Sequence, residues 1–137
     1  MKHPLTALAS LAAVLAAGPA TPQDKAKAAP SVMEVMMTMT VPASDAIFSA
    51  ASDPPKDAAQ WVALRPNART LADSGRALAT MDRAKDTREW TEMARALVTQ
   101  AEATLTAIDR KDADALSVAG EDVYLTCKTC HDRFKTD

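Results

Sequence analysis

Apolar residues recur every three or four positions through four stretches of about 20 to 25 residues, and that rhythm constrains the fold more than any other feature. The first stretch, 31–51, carries Val32, Met36, Met39, Ala43 and Ile47. The second, 56–80, carries Trp61, Leu64, Ala68, Leu71, Gly75 and Leu78. The third, 86–110, carries Trp90, Ala94, Leu97, Ala101, Leu105 and Ile108, and the fourth, 112–135, carries Leu116, Gly120, Val123, Cys127, Cys130 and Phe134. Such spacing lines one face of an α-helix. The chain after Pro30 is rich in alanine and leucine and has only two glycines, which favours helix over strand. Four helices joined by short connections make an all-α, antiparallel, up-and-down four-helix bundle, and alternating steps of three and four suit its shallow crossing angles.

Local signals set the ends of these helices. Ser31 with Glu34 three residues on has the spacing of a capping box, and Asp53-Pro54-Pro55 closes the first stretch. Pro42 and Pro66 fall inside helical pattern, so a kink or break is predicted at each, because proline has no N–H to donate.

The first twenty residues have a different character. Lys2 and His3 precede a 13-residue apolar run from Leu5 to Ala17, and Gly18-Pro19-Ala20 follows. This is the pattern of a signal peptide cleaved near Ala20, and the run is too short to span a bilayer. Residues 21–30, with proline near one end and at the other and no periodicity, read as a disordered tether, which leaves 31–137 as the helical domain. Removing Lys2 leaves 15 basic against 18 acidic side chains, with no basic stripe. Nucleic acid and anionic membrane surfaces are poor partners for such a chain. A soluble, exported, periplasmic protein is expected.

The chemistry concentrates in C-K-T-C-H, Cys127 to His131, which holds both cysteines of the chain. Cys127, Cys130 and His131 lie three and four apart and share one side of the fourth helix. A structural zinc site wants about four nitrogen or sulfur ligands, and the exported chain offers these three. A redox dithiol favours the N-terminus of a helix that follows a strand, whereas this motif ends a long helical pattern. A disulfide within one helical turn is strained. Covalent haem attachment meets every constraint: the thiols of Cys127 and Cys130 add to the vinyl groups, and His131 supplies an axial nitrogen. A haem-free exported bundle is the alternative that keeps the fold without the cofactor.

A four-helix pattern carrying C-K-T-C-H-D-R-F-K near its end resembles the class II cytochromes c, the cytochrome c′ family, over 31–135. The resemblance implies one haem c held by Cys127 and Cys130, with His131 as proximal ligand and the iron facing the first helix on its distal side. That helix contains M-E-V-M-M-T-M, and thioether sulfur is a good sixth ligand. Met36 lies on the inward stripe, and its stretch resembles the first helix of the methionine-ligated, low-spin branch. Met36 is therefore the expected distal ligand, with Met33, Met37 and Phe134 lining the haem pocket. A one-residue change of helix phase would pass the role to a neighbouring methionine. No basic residue occurs from Ala28 to Pro55, where many high-spin relatives place an arginine, so Arg65, Arg69 and Arg76 become the candidates to face the propionates.

Two functions are in competition at this point. One is a periplasmic monohaem electron carrier, not an enzyme, that exchanges single electrons with redox partner proteins. The other is a five-coordinate protein that binds nitric oxide or carbon monoxide at an open distal face. The resemblance also allows a homodimer through the first two helices.

Overall fold

A computed structural model describes residues 29–81 and 86–135. The expected signal peptide and most of the expected tether lie outside the described residues. The described chain contains helices and no strand: α1 (Val32–Val35), a π-helical turn (Met36–Thr40), α2 (Val41–Ser52), α3 (Ala58–Ala79), α4 (Thr87–Arg110) and α5 (Ala113–Phe134). The first three pieces run on without a gap, so 32–52 forms a single arm of a four-helix bundle.

Side-chain caps start three of the four arms. Ser31 Oγ accepts from the Glu34 amide at 3.1 Å, Asp57 Oδ1 from the Gln60 amide at 2.9 Å, and Asp112 Oδ1 from the Ala115 amide at 3.0 Å. Each satisfies a donor that the first turn leaves without an intrahelical partner. α4 ends in a left-handed residue, Lys111 (φ 53°, ψ 39°). The Lys111 amide donates to Ile108 O and the Asp112 amide to Ala107 O, both at 3.0 Å, so two residues reverse the chain into α5.

Neighbouring arms run antiparallel. The start of α4 meets the end of α3, where Trp90 Nε1 donates to Leu78 O at 2.7 Å. Further along the same pair, Arg65 near the start of α3 reaches Asp109 near the end of α4. Arg133 at the end of α5 contacts Glu89 and Asp86 at the start of α4. Phe48 meets Tyr124 edge-on, which closes the ring between α2 and α5.

All six stripe residues of α3 are buried, and so are five of the six in α4, with Leu105 half-buried. Buried hydroxyls are satisfied by their own helices, Ser74 on Leu71 O and Thr104 on Gln100 O, each at 2.8 Å. Two glycines set the helix spacing. A Cβ at Gly75 would lie 2.8 Å from Val98 Cγ2 and 3.0 Å from Ala94 O on α4, and one at Gly120 would lie 2.6 Å from Ala51 Cβ on α2.

Neither proline breaks its helix. α3 continues through Pro66, and both Pro66 and Val62, whose carbonyl loses its usual donor, are on the exposed side where water can serve instead. Pro42 falls directly after the π turn, and the carbonyl it leaves without a donor, at Thr38 or Met37, is at an exposed position where water can serve. Among the described residues no helix is long and apolar enough to cross a membrane.

Two substitutions probe this packing. Gly75→Ala should lower stability by about 1 to 2 kcal/mol, because the clash with α4 backbone outweighs the roughly 1 kcal/mol of helix propensity it regains. Lys111→Gly should raise stability by up to about 1 kcal/mol by removing a left-handed Cβ. Thermal denaturation of the two variants beside the parent checks both signs.

Candidate functional site

One end of the bundle encloses a cavity of about 360 Å³. Every arm contributes to its wall: Met36, Thr40, Val41, Ser44 and Phe48 from the first, Leu78 from α3, Trp90, Met93, Ala94 and Leu97 from α4, and Tyr124, Cys127, Cys130 and His131 from α5. The volume lies in the range that holds a small organic ligand or cofactor, and the lining is mostly apolar with a few polar groups.

The end of α5 brings the cysteines and the histidine to this space. Val123 is fully buried, Cys127 and Cys130 are half-buried, and His131 is exposed at the rim. Burial, and next the neighbouring Cys130, hold the Cys127 thiol above its ordinary pKa, so it stays protonated at neutral pH. No disulfide joins the two cysteines. Lys128 and Asp132 pair with each other across one turn at the same rim.

Three contacts hold that end in place. The Trp90 indole is buried, bonded to Leu78 O, and stands edge-on to Phe134 with ring centroids 5.2 Å apart. Arg133 bonds Glu89 with Nε (3.0 and 3.1 Å) and Asp86 with Nη2 (2.8 Å), and its guanidinium lies 5.5 Å from the Phe134 ring centre. These ion pairs are solvent-exposed, so each is worth about 0–1 kcal/mol; the buried indole bond and ring contact carry more.

The expected residues divide into two groups. Met36, Cys127, Cys130 and His131 come together around one cavity. Met33 and Met37, expected in the pocket, instead face outward at 69% and 62% exposure, while Met39 packs on the core. Phe134 stands one layer back, against Trp90 rather than on the cavity wall. Arg65 is paired with Asp109, and Arg76 with Asp73 and Glu102; neither lines the cavity, nor does Arg69. The cationic side chain that does is Lys128.

Several wall residues lie outside the motifs that the sequence marks. Thr40, Ser44 and Phe48 follow Met36 at intervals of four, a visible signal once that interval is taken as the repeat. Tyr124 precedes Cys127 by three and shares its face. Met93 follows Trp90 by three, but nothing in the sequence separates a cavity residue there from a core one.

Among the described residues no three His, Cys, Asp or Glu side chains converge as a metal-binding cluster. A haem iron asks for less, since the porphyrin fills four positions and the protein supplies one ligand on each face. The donor set fits that need: two thiols and an imidazole on α5, a thioether on the first arm, and an apolar wall between them. The chain matches no protein-family model, no curated protein sequence and no solved structure.

The Trp90–Leu78 bond is a measurable part of this end. In Trp90→Phe the ring contact with Phe134 survives, and Leu78 O keeps the Met81 amide at 3.1 Å. The loss should therefore be about 1 kcal/mol in urea denaturation; a loss above about 3 kcal/mol would mean the carbonyl had been left unsatisfied.

Proposed function

We propose that this chain is a periplasmic monohaem c-type cytochrome of the cytochrome c′ type that carries single electrons between redox partner proteins. Cys127 and Cys130 hold the haem, His131 is the proximal ligand and Met36 the distal one. One observation carries the reading: a single cavity is lined by Cys127, Cys130 and His131 of the C-x-x-C-H motif at the end of α5 and by Met36 on another arm.

When bound, haem supplies a one-electron iron couple whose potential depends on its axial ligands and burial. The rest is the work of the chain. Leu78, Trp90, Ala94 and Leu97 are buried and apolar, so they exclude water from the cavity wall. Ser44 donates its hydroxyl proton to Val41 O at 3.0 Å, and the Thr40 hydroxyl points to Val35 O at 3.4 Å. Both protons are thus committed to the helix, and neither is directed at a reacting group. Lys128 at the rim offers positive charge for a carboxylate, in competition with Asp132. The arrangement suits a carrier, which must hold its ligands still, better than an enzyme, which needs acids and bases aimed at a substrate. Export rests on the signal-peptide pattern of residues 1–20.

The ferric visible spectrum tests the ligand set. The parent should be low-spin with a weak methionine–iron charge-transfer band. Met36→Ala should become high-spin, bind carbon monoxide once reduced, and show a lower reduction potential. A parent that is already high-spin and binds carbon monoxide readily would favour the gas-binding function instead.

A further inference from the structure

Met36, Thr40, Ser44 and Phe48 all line the cavity, one every four residues. In an uninterrupted α-helix each step of four overshoots a full turn by about 40°, so Phe48 would sit about 120° from Met36. Two other pairs are harder still to reconcile with α geometry. Met36 and Val41 share the cavity, and Val35 and Thr40 are both buried, at 1% and 4% exposure. Residues five apart in an α-helix face about 140° away from one another.

The π turn resolves this. The Val41 amide donates to Met36 O, five residues back rather than four. Five residues then cover the rotation that four cover elsewhere. Val35 is brought over Thr40, and Met36 falls between the directions of Thr40 and Val41. The spread of Met36, Thr40, Ser44 and Phe48 narrows to about 60°. The surplus residue is taken up on the outer side, where Met37 and Thr38 are exposed.

Pro42 fits the same arrangement. With no N–H at 42, neither a carbonyl four residues back nor one five back is served from that position, and the π ladder stops there. The unserved carbonyls belong to Thr38 or Met37, whose positions are open to water.

We propose that the π turn Met36–Thr40, ended by Pro42, is the element that positions the axial ligand. It absorbs one extra residue so that Met36 faces the haem cavity while Met37 is turned out to solvent. This rests on the haem reading above and adds the reason one methionine among four is chosen.

The test is deletion of Thr38 in the full, haem-loaded protein. Removing the surplus residue lets the segment close as plain α-helix with Met36 in the same phase. The variant should keep its covalent haem and low-spin spectrum, melt no lower than the parent, and turn high-spin only when Met36→Ala is added. If the parent segment were ordinary α-helix, the deletion would swing Met36 by about 100°. A high-spin, carbon monoxide-binding deletion variant would therefore overturn the proposal.

Should the variant fail to fold, the reduced parent decides by NMR. Scalar coupling across the hydrogen bond from the Val41 amide nitrogen to the Met36 carbonyl carbon supports the π turn, and coupling to Met37 overturns it. A parent that carries no haem would overturn the electron-carrier function and the ligand role together, while this coupling would still report the helix register.

Discussion

Rotation of each helix about its own axis is the constraint on which the rest depends. A cavity at the end of a bundle must receive side chains from four arms at once, and an error of one residue turns a side chain by about 100°. α3 and α4 meet this with stripes that mix steps of three and four. The first arm cannot, because its cavity residues repeat every four, and it meets the constraint by opening one turn of helix. π turns of this kind are rare and recur at functional sites, where a side chain must be aimed against the period of the helix.

Two kinds of contact hold the helices together, close backbone approach at glycines and bridging by bulky side chains. Away from the cavity, where Gly120 meets Ala51, and beside it, where Gly75 meets Ala94 and Val98, the backbones approach closely and leave no room for a larger side chain. Around the cavity, bulky groups bridge the helices: Trp90 to Leu78 O, Phe134 on Trp90, and Arg133 to the start of α4. An apolar cofactor seated between those walls would add contacts that the folded chain alone lacks, so its binding and the stability of the cavity end are linked. Covalent attachment through Cys127 and Cys130 would make the linkage permanent.

Much of the bundle was legible in the sequence because burying one helical face demands a short period, and that period is written in residue types. Trp61, Leu64, Ala68, Leu71, Gly75 and Leu78 were named from spacing and all are buried. Ser31 was legible as a cap for a similar reason, since its hydroxyl acts on an amide three residues away. The outward turn of Met33 and Met37 was not, because a constant 3.6-residue period was assumed across a segment where it changes. Pro42 carries the local signature of a helix breaker, yet its cost depends on the register before it. The helix positions of Arg65 and Arg76 do not disclose their partners, because Asp109 and Glu102, which pair with them, lie 44 and 26 residues away. Partners at that distance depend on topology, which local spacing does not contain.

Covalent attachment of haem to Cys127 and Cys130 can be read from the mass of the peptide that contains Cys127 to His131. The protein should be exported from a host with cytochrome c maturation machinery, purified and digested. That peptide should carry one haem through two thioether bonds. Recovery of the same peptide with Cys127 and Cys130 unmodified would contradict it.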